Sequence, residues 1–207
     1  MKRKSLFVTF EGIDGCGKST HLDLAARYIR NFTYPVTVVR EPGSTAVAER
    51  IREVLLDRRS TMTAVTELLL YEAARADLTV AKIEPALKAG RIVLCDRFYD
   101  STTAYQGYGR RLDIKTVRQL NSVAVGAIRP DLTLLFDVDL KTAFARRGAE
   151  LDRLECESLA FFRRVRAGFL KIARQEPHRV KIINSSGPID DVFAEVKVYL
   201  RRKLSLA

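Results

Sequence analysis

The chain has 207 residues, 47% of them hydrophobic, which is enough for one domain with a sizeable core and excludes a disordered protein. Lys and Arg number 36 against 25 Asp and Glu, a net charge of +11, so the surface suits anionic partners such as polyphosphates. The basic residues gather only in pairs or short runs (Arg110–Arg111, Arg146–Arg147, Arg163–Arg164, Arg201–Lys203), without a recognition-module signature, so nucleic-acid binding is not expected. Met1 to Lys4 is basic, but the apolar run Ser5 to Phe10 is too short for a secretory leader. No stretch approaches the roughly 20 apolar residues of a membrane helix, so no membrane association is expected. Cys16, Cys95 and Cys156 have neither metal-ligand spacing nor a disulfide framework, which fits a reducing cytoplasm.

Strand and helix patterns alternate along the chain. Leu6 to Phe10 reads as a buried strand, followed by glycines and the amphipathic stretch Ser19 to Arg30. Val36 to Val39 is a second strand, and Ala46 to Leu56 a helix with Thr45 as its cap. Val65 to Ala89 has helical periodicity, with a kink expected at Pro85 and a C′ residue at Gly90. Ile92 to Cys95 and Leu132 to Val138 are further strands. Leu159 to Arg174 is helical, Val180 to Ile183 a fifth strand, and Ile189 to Lys203 a closing helix. Strands that are apolar throughout are buried on both faces, and intervening helices make the crossovers of a parallel sheet. The expectation is one α/β domain, 1–207: a five-stranded parallel sheet, doubly wound in three layers.

Gly12-Ile-Asp-Gly-Cys-Gly17-Lys18-Ser19 satisfies G-x-x-x-x-G-K-[ST]. Its glycines free the backbone to turn N–H groups onto phosphate oxygens, and the helix that follows points its positive end at the same anion. Gly12 to Thr20, including Asp14, Gly15, Cys16 and Gly17, therefore read as the cradle for nucleotide phosphates. Lys18 is placed to reach the β- and γ-phosphates, and the Ser19 hydroxyl to ligate magnesium. No Asn-Lys-x-Asp tetrapeptide occurs, so the base-reading motif of a GTPase is missing.

Three further segments stand at strand ends: Arg40-Glu-Pro-Gly43, Asp96-Arg97-Phe98 and Arg129-Pro-Asp131. Arg40 and Arg97 beside the loop could grip a second phosphate with planar forks. Asp96 sits where a magnesium-organising carboxylate belongs. Each segment also reads as an ordinary turn or helix stop.

With these residues the chain resembles the thymidylate kinase family over essentially its whole length. The matching segments are Phe10-Glu-Gly-Ile-Asp-Gly-Cys-Gly-Lys-Ser-Thr20, Arg40-Glu-Pro-Gly43, Leu70-Tyr-Glu-Ala-Ala-Arg75, Asp96-Arg97-Phe98, Ser101-Thr-Thr-Ala-Tyr-Gln-Gly107, Arg129-Pro-Asp-Leu-Thr133 and Leu151-Asp-Arg-Leu-Glu155, in the family's order. The resemblance implies a P-loop nucleotide kinase fold with a small mobile lid at about residues 146–156. It implies phosphorylation of dTMP to dTDP with ATP and magnesium, in the synthesis of dTTP, by a homodimer.

It also implies roles. Asp14 would accept from the dTMP 3′-hydroxyl. Arg40 and Arg97 would hold the dTMP phosphate. Tyr71, where the family more often has Phe, would stack on thymine, and Arg75 would donate to a thymine carbonyl. Ser101 and Thr102 would read the pyrimidine edge, Tyr105 would press on the deoxyribose, and Gln106 would line the same pocket. Asp96 and Ser19 would serve the metal.

Many family members carry an arginine at the position of Gly15; this chain resembles the form that supplies the charge from its lid. Arg153 is the first choice for transition-state charge and Arg146 the second, with Arg147 against adenine. Asn184-Ser185-Ser186 is a further place for adenine, or simply a capping turn. Two other readings are a kinase for another pyrimidine monophosphate and a binding module without catalysis.

Overall fold

The computed structural model describes residues 5–148 and 151–205, so the reading of Met1–Lys4 and part of the expected lid lie outside the described residues. Strands β1 (Leu6–Glu11), β2 (Val36–Arg40), β3 (Ile92–Asp96), β4 (Leu132–Asp137) and β5 (Val180–Asn184) form one sheet in the order β2-β3-β1-β4-β5. Every pairing is parallel. The doubly wound α/β expectation holds, and each predicted strand lies within a residue or so of its observed bounds.

Alternation along the strands sends side chains to two cores. Phe7, Val93 and Cys95 pack with Leu78, Ile83, Phe98 and Val125 on one face. Leu6, Val8, Phe10, Leu94 and Phe136 pack on the other with Leu22 and Ile29 of α1 (Lys18–Arg30) and Val192 and Val196 of α9 (Ile189–Leu204). All six residues of β1 are buried, which is why no polar residue interrupts the run outside Thr9 and Glu11. Helix α9 opens with Asp190 and Asp191 and ends with Arg201 to Lys203, charges that complement its dipole. The Thr45 cap on α2 (Ala46–Leu56) is present: its hydroxyl accepts from Ala48 N at 3.0 Å.

The helix expected over 65–89 is broken in three. α3 runs Ala64–Leu78, a π-helical turn covers Thr79–Ile83, and α4 is Glu84–Lys88. Pro85 has no N–H for an i→i−4 bond, and the chain widens ahead of it so that Glu84 N bonds Thr79 O. Gly90 then turns with φ +71° as expected of a C′ residue.

Residues 99–125, given no helix from the sequence, contain α5 (Tyr99–Thr102), a π-helical stretch Thr103–Gly109 and α6 (Ile114–Val125). The π stretch lies against α8 (Leu159–Gln175) through glycines: a Cβ on Gly109 would lie 2.7 Å from Phe161, and one on Gly168 would lie 2.5 Å from Tyr108. Short α7 (Leu140–Ala145) was also unforeseen. Among the described residues no helix is long and apolar enough to cross a membrane.

One expectation is corrected by polarity. Arg129-Pro-Asp131 precedes β4, so it stands at the N-terminal edge of the sheet, away from the ligand edge. Asp131 Oδ2 accepts from Phe7 N at 2.8 Å, and its own N–H donates to Phe7 O at 2.8 Å. Arg129 donates to the carbonyls of Gly126 and Ile128. The two Asp131 bonds tie the start of β4 to β1. Replacing Asp131 with Ala should therefore lower unfolding free energy by about 1–2 kcal/mol in urea titration while leaving kinetic constants unchanged; a kinetic defect in the folded variant would contradict the assignment.

Candidate active site

The site grows from the C-terminal ends of β1, β3 and β2. After Glu11 the chain turns with Gly12 at φ +141°, Gly15 at +82° and Gly17 at +87°, then enters α1 at Lys18. A Cβ at Gly12 would lie 2.5 Å from Phe136 O, so the loop closes tightly on β4. Lys18 Nζ donates to Asp14 Oδ1 at 3.3 Å and lies 3.9 Å from Asp96 Oδ1. Ser19 Oγ donates to Asp96 Oδ2 at 2.6 Å.

Among the described residues no cluster of three His, Cys, Asp or Glu side chains has the arrangement of a metal cage. The expected metal residues are a different kind of set. Asp96 Oδ1 is buried with no hydrogen-bond partner, next to the Ser19 hydroxyl at the helix start. Such an orphaned oxygen beside a hydroxyl fits an ion that takes most of its ligands from phosphates and water. Cys16, in the same loop, is buried, and burial pushes its thiol up, so it is not a reactive thiol.

Beside the loop lies a cleft open to solvent. Asp14, Tyr71, Arg75, Arg97, Ser101, Thr102, Tyr105 and Gln106 all line it, so eight of the nine residues expected for the second substrate converge. Arg97 organises one wall. It donates to Gly12 O at 2.7 Å, Ser101 Oγ at 3.1 Å and Asp14 Oδ1 at 2.5 Å, and its guanidinium lies 5.2 Å from the Tyr105 ring centre. Burial opposes ionisation of Asp14, but Arg97 and Lys18 outweigh it and hold that carboxyl well below the usual carboxylate range.

Arg97 has φ +70°, a conformation that strains any residue with a Cβ. Its N–H bonds Phe10 O, and the next N–H, of Phe98, donates to Glu11 Oε1 at 2.7 Å. Ser101 Oγ donates to Glu11 Oε2 at 2.6 Å. Glu11 thus pins both sides of the turn, a role not read from the sequence although it lies within the quoted loop motif. Burial first, then the nearby Asp100, pushes the Glu11 carboxyl up to about 8, against the two hydrogen bonds and Arg97.

The ninth residue, Arg40, is a correction. It is exposed, and its guanidinium grips both oxygens of Glu49 at 2.8 and 2.9 Å instead of lining the cleft. Arg52 stands on the cleft wall in its place, bonded to Pro42 O at 2.9 Å. Arg75 is corrected in another way. It is 1% exposed, and its five N–H groups are all taken by Glu41 (twice), Glu72, Asn121 and Thr102. It is a wall brace with no donor left over for a base. Burial raises its partner Glu41 to about 7 despite Arg75, and Glu41 Oε1 has no partner.

A groove on the other side of the loop is lined by Gly15 to His21, Arg146, Ser185 and Ile189. Arg146 donates to Ser185 O at 2.9 Å there. Arg147, expected against adenine, instead lies between the rings of Phe144 and Phe162, 4.0 and 4.2 Å from their centres. Adjacent residues point apart, and Arg146 is the one that faces the groove. Arg153 is also away from the loop: it donates to Leu55 O at 2.8 Å and lies 2.6 Å from Glu67 Oε2. Glu67 was missed from the sequence because it looks like one more charge on an amphipathic helix.

The raised carboxyls make a pH prediction. Glu11 sits near 8 when folded against 4.5 ordinarily, so between those values the native state keeps a proton that the unfolded chain has released. Stability conferred by that proton is complete below 4.5 and is lost as pH rises to about 8, with Glu41 adding to the loss up to about 7. The urea midpoint should fall across this window, and Glu11→Gln should make the fall shallower. An unchanged slope in that variant would refute the assignment.

Comparison with known proteins agrees with the geometry. The family model described as thymidylate kinase matches residues 10–196. A thymidylate kinase of Geobacter sulfurreducens is 48% identical over 89% of this chain and 91% of its own length. One from Geotalea uraniireducens is 45% identical over 96% of this chain and 98% of its own. The crystal structure of thymidylate kinase from Ehrlichia chaffeensis superposes with a TM-score of 0.79 at 38% identity, covering 95% of this chain and 98% of that one. The chain belongs to the thymidylate kinase family.

Proposed function

We propose that the chain transfers the terminal phosphoryl group of ATP, held with magnesium in the groove beside Lys18, to dTMP held in the Arg97 cleft. Phosphorylation of dTMP to dTDP is the reaction of the family to which the chain belongs. One observation carries the assignment of the two clefts: Asp14 bonds Lys18 on the donor side and Arg97 on the acceptor side, so the clefts share a wall at the phosphate loop.

Phosphoryl transfer asks the protein mainly to align its two substrates and to neutralise charge. Loop N–H groups and Lys18 hold the donor phosphates. Ser19 and Asp96 would hold magnesium, which when bound neutralises charge on the phosphate oxygens. Arg97 and Arg52 face the acceptor phosphate. Asp14 meets the 3′-hydroxyl, Tyr105 presses on the sugar, and Tyr71 stacks on the base. Thr102 and Gln106 read the pyrimidine edge. Arg146 and Ser185 flank the donor base.

Residues 146–156 act as a lid, and Arg153 must leave Glu67 to bring charge to the transferring group. The protein works as a homodimer in the cytoplasm, supplying dTTP synthesis. Exposed Val47 and Val54 on α2, Val65 and Leu69 on α3 and Val123 on α6 support the dimer, since these three helices pack side by side.

Rates with ATP and magnesium against dTMP, dUMP, dCMP and dAMP test the reading. dTMP should react fastest, with dUMP next, because one methyl group is worth about 1–3 kcal/mol in a pocket. ATP binding without formation of dTDP would overturn it in favour of a binding module. Arg153→Ala should lower kcat by about 10²–10³-fold with KM for both nucleotides nearly unchanged; a change confined to KM would make Arg153 a binding residue only.

A further inference from the structure

Glu67 on α3 is 1% exposed and carries an unusual load for one carboxylate. Oε1 accepts from Gln106 Nε2 at 2.8 Å and from Arg110 Nε at 3.0 Å. Oε2 accepts from Arg110 Nη2 at 2.9 Å and meets Arg153 Nη2 at 2.6 Å. Burial opposes ionisation of Glu67, but the hydrogen bonds from Arg110 and Gln106 overcome it and hold the carboxyl below its usual range. An ionised carboxylate only accepts, so the Gln106 amide has no choice of orientation: its NH₂ must face Glu67. Gln106 lines the cleft and is itself 1% exposed. The polar atom its side chain can offer a bound base is therefore Oε1, an acceptor.

That orientation has a consequence for base choice. Thymine presents acceptor, donor, acceptor along its O4, N3–H and O2 edge. Cytosine presents donor, acceptor, acceptor, because its N3 carries no proton. We propose that Glu67 is a specificity-determining positioning residue: by fixing the Gln106 amide with its oxygen toward the cleft, it makes the pocket accept from thymine N3–H and reject cytosine. This rests on the proposed dTMP site. Thr102, whose oxygen accepts from Arg75 Nη2 at 2.8 Å, keeps its own proton for a neighbouring carbonyl.

Glu67→Gln is the informative change. Its side chain would have one oxygen and one NH₂ where two oxygens now meet donors. With the oxygen at the Oε2 position, Arg110 Nη2 and Arg153 Nη2 still face an acceptor, and the NH₂ faces Gln106 at the cost of the single bond from Arg110 Nε. Gln106 must then flip, offering its own NH₂ to the cleft, where cytosine N3 can accept it. The opposite placement sets an NH₂ against two guanidinium groups and is the worse one.

The experiment measures kcat/KM for dTMP and for dCMP with ATP and magnesium in the unsubstituted chain, Glu67→Gln, Gln106→Leu and the double variant. Because the dTMP/dCMP ratio is taken within one preparation, any unfolded fraction cancels. The ratio should fall at least about tenfold in Glu67→Gln. In the Gln106→Leu background, adding Glu67→Gln should move it by less than about twofold. Equal loss for both nucleotides, leaving the ratio unchanged, would make Glu67 a structural residue and overturn the proposal. So would the same fall in the ratio without Gln106. A lack of dTMP preference in the unsubstituted chain would instead refute the proposed function, before any variant is read.

Discussion

The site depends on one ion pair, Arg97 with Asp14 at 2.5 Å. Arg97 directly follows β3 and Asp14 belongs to the loop after β1, neighbouring strands in the sheet. The pair locks the acceptor wall onto the donor loop. Removing either partner would strand a charge in a site where Arg97 is 15% and Asp14 29% exposed at the side chain, and a stranded charge costs more than the pair gains. The lock also explains the strained backbone at Arg97. With φ +70° its guanidinium bonds back to Gly12 O, and Glu11 holds that turn through Phe98 N and Ser101.

The same device recurs deeper in the cleft. Buried acidic side chains hold donors: Glu11 holds Ser101, Glu41 and Glu72 hold Arg75, and Glu67 holds Arg110 and Gln106. Each makes a side chain rigid before any substrate arrives, which lowers the ordering cost of binding. Rigidity also sorts the residues by role. Arg75, with every donor used, braces α3 against the turn after β2 and cannot read a base. Thr102 and Gln106, by contrast, are polar side chains on the cleft wall.

Much of this was legible in the sequence, for identifiable reasons. Continuous apolar runs revealed β1, β3 and β4, which are buried on both faces, and β-branched residues revealed the half-exposed edge strands β2 and β5. The phosphate loop was legible because its glycines have no other way to curl around an anion. What escaped was direction. Arg146 and Arg147 are neighbours, yet one faces the donor groove and the other lies between two Phe rings; only packing against Phe162 of α8 decides between them. Arg129 stood at a strand end, but the wrong one. Arg40 stood at the right end and found Glu49, a partner nine residues on. Gly107 and Gly109 disguised the π-helical stretch, because glycines usually mark a loop, whereas Gly109 is small for the sake of Phe161. α6 was recoverable, with Asp113 as its cap and Val117, Asn121 and Ala124 on its buried face.

The loop also constrains where transition-state charge can originate. Gly15 has φ +82°, and a Cβ there would lie 2.0 Å from Ala143 O, backbone to backbone, so neither strain nor space admits a side chain. Helix α7 closes over this position. A cationic side chain for the moving phosphoryl group, beyond Lys18, must therefore come from outside the loop. Two arginines follow α7 closely in sequence: Arg146 lines the groove beside the loop, and Arg153 lies against Glu67. The packing of one short helix on one glycine thus closes the loop to a side chain and leaves Arg146, from the segment after α7, as an arginine beside it.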